Sequence, residues 1–196
     1  MDTRITFNCL CGHELSGVIK YNIKCPCKRV WYRYSYHKMR HKPFEVDHKG
    51  QRHIFFWGST NIHFQFLSNF WVSPFEFNNI TFRTVEHYYQ YMKCEDETDR
   101  ELILNCHTPG DAKKVGKEVK IRSEWNTIKP SIMYVGLSCK FEQNAHLKKR
   151  LLATGDSILH ENSPYDMYWG FAGADMLGSL LMFVRSEIKA LLREEI

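Results

Sequence analysis

No stretch of this chain approaches the roughly 20 consecutive apolar residues that a membrane span needs, so the sequence predicts no membrane partner. Met1-Asp2-Thr3-Arg4 opens no secretory signal, and a cytoplasmic location is the expectation that follows. Internal repeats and low-complexity segments are also missing, which excludes solenoid and tail-like architectures. A disulfide framework is not expected either, because seven cysteines is an odd number and the sequence opens on no secretory signal. What remains is a chain of 196 residues, enough for one well-cored domain with a small appendage.

Charge and cysteine are both concentrated at the N-terminal end. Residues 1–53 carry 11 lysines and arginines against 4 acidic residues, a balance of +7, whereas the whole chain has a formal charge of only +5. A basic module on a near-neutral body suits a polyanionic partner, most simply nucleic acid; the alternative is a module kept soluble by its charge. Cys9, Cys11, Cys25 and Cys27 form two tight pairs at turns containing Gly or Pro, the pattern by which a zinc ribbon brings four thiolates to one ion. Ribbon knuckles usually place two residues between the cysteines; here there is one, and free thiols in a small hairpin are the alternative. In the run after Cys27, Tyr32, Tyr34 and Tyr36 share one face of a strand among basic residues, fit either for base stacking or for packing on the main body. Cys94, Cys106 and Cys139 read as small buried hydrophobes. Residues 37–51 are polar and aperiodic and read as a linker.

The expected fold class is α+β: a small β module over residues 1–50, then a compact, mostly helical domain over 51–196 with a small β hairpin. Ile54–Trp57 reads as a strand closed by Gly58, and Asn78-Asn79 joins Phe75–Phe77 to Ile80–Phe82 as a hairpin. Thr84 is placed to cap a helix running to Cys94. Thr98-x-x-Glu101 reads as a capping box, Thr108-Pro109 as a helix start, and Pro130 as the opening of a helix ending at Gln143. A further helix runs from His146 to Thr154, ended by Gly155. A last one, capped by Asp175, has one apolar stripe from Leu177 to Leu192.

The helix after Thr84 is the stretch that the rest of the chain is expected to present. Glu86, Gln90 and Lys93 recur at i, i+4 and i+7 and share a face, with Tyr89 beside them. Val85, His87, Tyr88, Tyr91 and Met92 leave no clean apolar stripe, so the helix is expected to have protein on most sides. A Glu and a Lys held there form either a plain structural pair or an acid and a nucleophile.

Five segments in order, L-S-N-F-W-V-S-P-F-E-F, T-V-E-H-Y-Y-Q-Y-M-K, W-N-T-I-K-P-S-I-M-Y-V-G-L-S-C-K-F-E-Q-N, L-L-A-T-G-D-S-I-L-H-E-N-S-P-Y-D-M-Y-W-G and L-G-S-L-L-M-F-V-R, resemble the NADAR (YbiA-like) family over about residues 54–192. The resemblance implies N-glycosidase activity, directed either at ADP-ribose on guanine bases or at early riboflavin-pathway intermediates. By position it implies Glu86 and Lys93 as catalytic, and Ser68, Asn69, Phe70, Asp156, Glu161, Asp166, Trp169 and Gly170 as substrate-binding; Gln90 and Tyr89, on and beside the Glu86–Lys93 face, join the substrate-binding candidates from the helix itself. Where the family has a Gly-rich run ending in Asn, this chain has Phe171-Ala172-Gly173-Ala174-Asp175.

Cleaving a C1′–N bond requires protonation of the leaving base and stabilisation of an oxocarbenium-like sugar. Two carboxylates, Glu86 with Glu161 or Asp166, suffice for direct hydrolysis. A neutral lysine attacking C1′ and holding the opened sugar as a Schiff base is the second route, and the resemblance favours it. Phe70, Tyr89 and Trp169 are candidate stacking surfaces for a flat base, and Asp156 serves either a loop cap or a sugar hydroxyl. Three functions stand: removal of ADP-ribose from nucleic acid, DNA before RNA; cleavage of a ribosylamino-pyrimidine phosphate; and a zinc-ribbon protein that binds nucleic acid or ADP-ribose without turnover. Structural zinc is the expected cofactor, with no organic cofactor.

Overall fold

The computed structural model describes residues 4–8, 14–18, 23–24, 30–31, 45–47, 49–58, 62–163 and 165–194. Among these the chain is α+β, with six helices and small sheets. Cys9, Cys11, Cys25 and Cys27, Tyr32, Tyr34 and Tyr36 lie outside the described residues. No described helix is long and apolar enough to cross a membrane.

Contacts divide the chain into two compact units, 1–65 with 156–179, and 66–155 with 180–196. In the first, β1 (Arg4–Asn8) pairs antiparallel with β2 (Glu14–Val18), and β3 (Ile23–Lys24) with β4 (Val30–Trp31). Gly17 sits inside β2 opposite Ile5. β5 (Glu45–Val46), β6 (Arg52–Phe56) and β9 (Ile158–Glu161) form a sheet in the order β5-β6-β9, antiparallel then parallel. The supposed linker 37–51 therefore contributes a strand. Asp47 makes the turn possible: its Oδ1 accepts from the amides of Lys49 and Gln51, and Gly50 takes φ 80°.

The second unit is built around α1 (Val85–Lys93), whose residues 85–91 are all buried, as the absence of an apolar stripe predicts. Thr84 caps it twice over: its hydroxyl oxygen accepts from the His87 amide and lies 2.7 Å from His87 Nδ1. The other His87 nitrogen reaches the Cys106 carbonyl at 3.2 Å, and burial lowers the His87 pKa. That carbonyl only accepts, so Nε2 carries the proton and the Thr84 hydroxyl donates to Nδ1.

The hairpin of β7 (Phe75–Phe77) and β8 (Ile80–Phe82) turns through Asn78 and Asn79 at φ 51° and 62°, the two positive dihedrals of a type I′ turn. It packs on α1 through edge contacts of Phe75, Phe77 and Phe82 to the Tyr88 ring, at 5.8, 5.2 and 5.2 Å.

α2 (Glu97–Asn105) starts two residues earlier than the Thr98 box implies. Asp96 occupies the N-cap position without a side-chain bond, and Thr98 lies within the first turn. α3 (Pro109–Val115) begins as the sequence indicates, with the Thr108 side chain accepting from the Asp111 amide. α4 (Trp125–Gln143) contains Pro130 rather than starting at it. The proline forfeits one helical bond to the Asn126 carbonyl, about 3 kcal/mol in a helix interior. The preceding turn is held by Trp125, buried edge-on against Tyr89 at 4.7 Å. α5 (Ala145–Ala153) ends at Thr154-Gly155, with Gly155 at φ 63°. From α6 (Met176–Glu194), Arg185 donates to Thr154 Oγ1 at 2.6 Å and Lys189 to the Gly155 carbonyl, cations meeting the negative end of a helix. The buried stripe of α6 ends at Ile188; Leu191 and Leu192, expected within it, are exposed.

Gly136 sets how closely α4 approaches α1. A Cβ there would lie 2.7 Å from Tyr88 Cδ1 and 3.0 Å from Val85 Cγ1. Elsewhere in a helix Gly→Ala gains about 1 kcal/mol. Here the Tyr88 ring is hemmed in by three phenylalanines and cannot yield. Overpacking, about 1–3 kcal/mol, exceeds the propensity gain. Gly136→Ala should lower the unfolding free energy in urea by about 1–2 kcal/mol; an unchanged or higher value would show that the helices have room to part.

Candidate active site

α1 places Glu86, Gln90 and Lys93 in one row, and the loop before the hairpin brings Asn69 to its start. The 3% exposed Glu86 carboxylate accepts from Asn69 Nδ2 at 2.5 Å on Oε2 and from Gln90 Nε2 at 2.8 Å on Oε1. Gln90 turns its carbonyl oxygen to Lys93 Nζ at 3.4 Å, and Lys93 also donates to the Gly116 carbonyl. The direct Glu–Lys pair does not form; a carboxamide stands between acid and amine and contacts both. Gly116 is required for this approach, since a Cβ there would fall 2.1 Å from Gln90 Oε1. Burial lowers the Lys93 pKa, opposed by the neighbouring Cys94 and Glu86, and so raises the share of amine with a free lone pair.

The other residues expected in this unit cluster with them. Asn69 holds Glu86 a second time, its carbonyl accepting from the Glu86 amide at 3.0 Å. The Ser68 hydroxyl accepts from the Phe70 amide at 3.1 Å, which gives that side chain a loop-shaping role. Phe70 is half-buried, with Lys113 Nζ 5.6 Å from its ring centroid. Tyr89 is buried against Trp125.

In the other unit, Asp166, Trp169 and Gly170 share one turn. Asp166 Oδ1 accepts from the amides of Tyr168 and Trp169 at 3.0 and 2.8 Å, so that oxygen shapes the chain. Trp169 lies edge-on to Tyr168 at 4.8 Å. A Cβ on Gly170 would meet the Asp166 carbonyl at 2.5 Å. Asp156 is exposed, its carbonyl accepting from Gln51, and Glu161 ends β9 with its amide directed at Asp175.

Three groups stand out that sequence reasoning did not single out. Lys140, on α4, is fully buried, donating to the Phe66 and Ser68 carbonyls at 2.7 and 2.8 Å. The signal was present: Lys140 continues the stripe of Met133 and Leu137 at i, i+4 and i+7, a cation where the pattern calls for an apolar residue. Gly116 has no signal in the sequence, because its role is a contact distant along the chain. In the other unit, the His53 and His160 rings have near-parallel planes and meet edge to edge, centres 5.2 Å apart, with Nδ1 of the first 2.9 Å from Nε2 of the second. Asp175 Oδ2 lies 2.5 Å from His160 Nδ1, and its Oδ1 accepts from the Glu161 amide. Asp175 precedes α6, but its carboxylate serves β9 rather than the amides of its own helix. It takes φ 50°, a conformation that Asn and Asp tolerate. Burial pushes its carboxyl up, against the pull of His160 and the Glu161 amide. Among the described residues no group of three or more His, Cys, Asp or Glu side chains is placed to hold a metal ion.

The chain is similar to several known proteins. Escherichia coli N-glycosidase YbiA is 35% identical over 149 residues, which cover 73% of this chain and 93% of that one. The NMR structure of E. coli YbiA matches with a TM-score of 0.66 at 34% identity, covering 73% of this chain and 88% of that one. An N-glycosidase of Nostoc punctiforme is 38% identical over 135 residues, 64% of this chain and 86% of its own. A riboflavin biosynthesis protein of Vibrio vulnificus is 34% identical over 130 residues, 63% of this chain and 35% of its own. The NADAR domain signature matches residues 55–189, from β6 into α6 and through the whole Asn69–Glu86–Gln90–Lys93 row. This chain therefore belongs to the NADAR family.

Proposed function

We propose that this chain is an N-glycosidase that removes ADP-ribose from modified guanine bases in nucleic acid, DNA before RNA, with Lys93 as nucleophile and Glu86 as proton carrier. Family membership and the names of the relatives support the reaction class, hydrolysis of an N-glycosyl bond. The observation that carries the roles is the row itself: a partly desolvated amine and a buried carboxylate bridged by one carboxamide.

The neutral Lys93 nitrogen forms a bond to C1′ as the C1′–N bond to the base breaks, and the Glu86 carboxylate takes a proton from the new ammonium and passes it to the leaving nitrogen. The resulting secondary amine's lone pair expels O4′, which takes a proton from water, and a protonated imine is left at C1′. Water adds to that carbon, the amine departs, and the sugar recloses with Lys93 regenerated. Asn69 and Gln90 each donate to one oxygen of Glu86 and hold it in a single orientation throughout. Charge in residues 1–53, with zinc on Cys9, Cys11, Cys25 and Cys27, would supply contact with the phosphate backbone.

Relatives named for riboflavin biosynthesis favour a second reading, cleavage of a free ribosylamino-pyrimidine phosphate. Side-by-side assays with ADP-ribosylated DNA, ADP-ribosylated RNA and that phosphate separate the two. Sugar release should be fastest from DNA; fastest release from the small phosphate would replace the nucleic-acid reading, and release from none would leave a binding protein. Because β5 pairs with β6, a truncation testing the basic module should stop before Glu45. Removing residues 1–40 should slow turnover on long DNA at physiological salt, and an unchanged rate would dismiss the module from substrate binding.

A further inference from the structure

We infer that Lys140 is a positioning residue for the reaction: it fixes the 66–70 loop so that Asn69 orients the Glu86 carboxylate. This rests on the reading of Glu86 as the proton carrier.

Lys140 Nζ donates to the carbonyls of Phe66 and Ser68, two residues apart, and so fixes two successive bends of the loop. Leu67 between them is fully buried. From Ser68 the bonds continue outward. Its carbonyl also accepts from the Trp71 amide at 3.1 Å, and its hydroxyl from the Phe70 amide. Asn69, enclosed by these bonds, meets Glu86 through both its carbonyl and its side-chain amide. An unbroken path of hydrogen bonds and covalent bonds thus leads from a side chain with no access to solvent to the acid of the site.

Among the described residues the Lys140 amine has no carboxylate partner; it meets the two carbonyls and, at 5.1 Å, the Phe141 ring. An ammonium there would have three donors for two acceptors, whereas a neutral amine has two N–H groups for two carbonyls. Burial alone accounts for the lowering of its pKa to about 7, which favours the matched form. A methionine of similar length would fill the space but make neither bond to the Phe66 and Ser68 carbonyls. The loop would then have shape without fixed direction.

The test is Lys140→Met in the full-length protein, with Asn69→Ala and the double variant. On the best substrate of the panel, Lys140→Met should lower kcat roughly 10–100-fold, the size of loss a displacement of about 1 Å produces, with KM changed less than about threefold. The double variant should be no worse than the poorer single one, since both remove the same orientation of Glu86. Losses that multiply would overturn the inference, as would a Lys140→Met effect confined to KM. Amide hydrogen exchange supplies a readout independent of turnover: the Trp71 and Glu86 amides, bonded to Ser68 and Asn69, should exchange about tenfold faster in Lys140→Met. Unchanged protection there also overturns it. Wild-type protein inactive on all three substrates would instead remove the proposed function, and the exchange data would still decide whether Lys140 holds the loop. Should Lys140→Met fail to fold, Lys140→Gln, which retains two N–H donors, enters the same comparison.

Discussion

Replacing Lys93 by alanine is expected to lower kcat by about three orders of magnitude or more, because the covalent route loses the atom that makes the bond. Lys93 ends α1, half-buried, and its bonds go to Gln90 and the Gly116 carbonyl, so the variant should keep the fold. Borohydride added during wild-type turnover should reduce the protonated imine and leave the sugar fixed on Lys93, detectable as a mass increase on one peptide. The same treatment of Lys93→Ala should leave no adduct. Activity in Lys93→Ala near the wild-type rate, or wild-type turnover without a trapped species, would return the reaction to water directed by carboxylates. The pH profile has a definite sign. Attack needs the neutral amine, so the rate should rise with pH through the Lys93 pKa. Burial moves that rise below the ordinary 10.5 of a lysine, while Cys94 and Glu86 limit the shift.

The second large effect concerns stability and belongs to Lys140. Its pKa falls from 10.5 to about 7 on folding, entirely through burial. Between those values the unfolded chain binds more protons than the folded one, so stability rises with pH from about 7 to 10.5 and is lost as pH falls back through that window. The full difference is about 5 kcal/mol at most, from 1.36 kcal/mol for each pH unit. Urea unfolding of wild type and Lys140→Met across this range should give curves that diverge by one proton's slope, the wild type gaining relative to the variant as pH rises. Parallel curves would mean that the amine is neutral, or charged, in both states alike.

The two lysines also mark where the sequence was legible. α1 could be read because its signals are local: a Thr at the cap, no Gly or Pro, and Glu86, Gln90 and Lys93 at helical spacing. The hairpin turn was legible for the same reason, since only residues that accept positive φ serve at Asn78 and Asn79. What escaped depends on partners far along the chain. Pro130 looked like a helix start because a proline restricts its predecessor, but buried Trp125 pins the turn before it. Asp175 looked like a cap because it precedes a helix, yet its carboxylate bonds to His160, fifteen residues back. Gln90 was placed on the reactive face, but not its bridging position, which Gly116 makes possible from another helix.

The parallel pairing of β6 with β9 has a consequence for synthesis. On the edge of β6 away from β5, His53 to Phe56 find their partners at Ile158 to Glu161, so about a hundred residues must leave the ribosome before that edge closes. At roughly 5–20 residues per second the delay is on the order of 5–20 s. Throughout it, Ile54-Phe55-Phe56 presents an apolar edge able to pair with another nascent chain. Slowing translation between residues 57 and 157 should therefore lower the soluble yield, although it alters no residue of the finished protein.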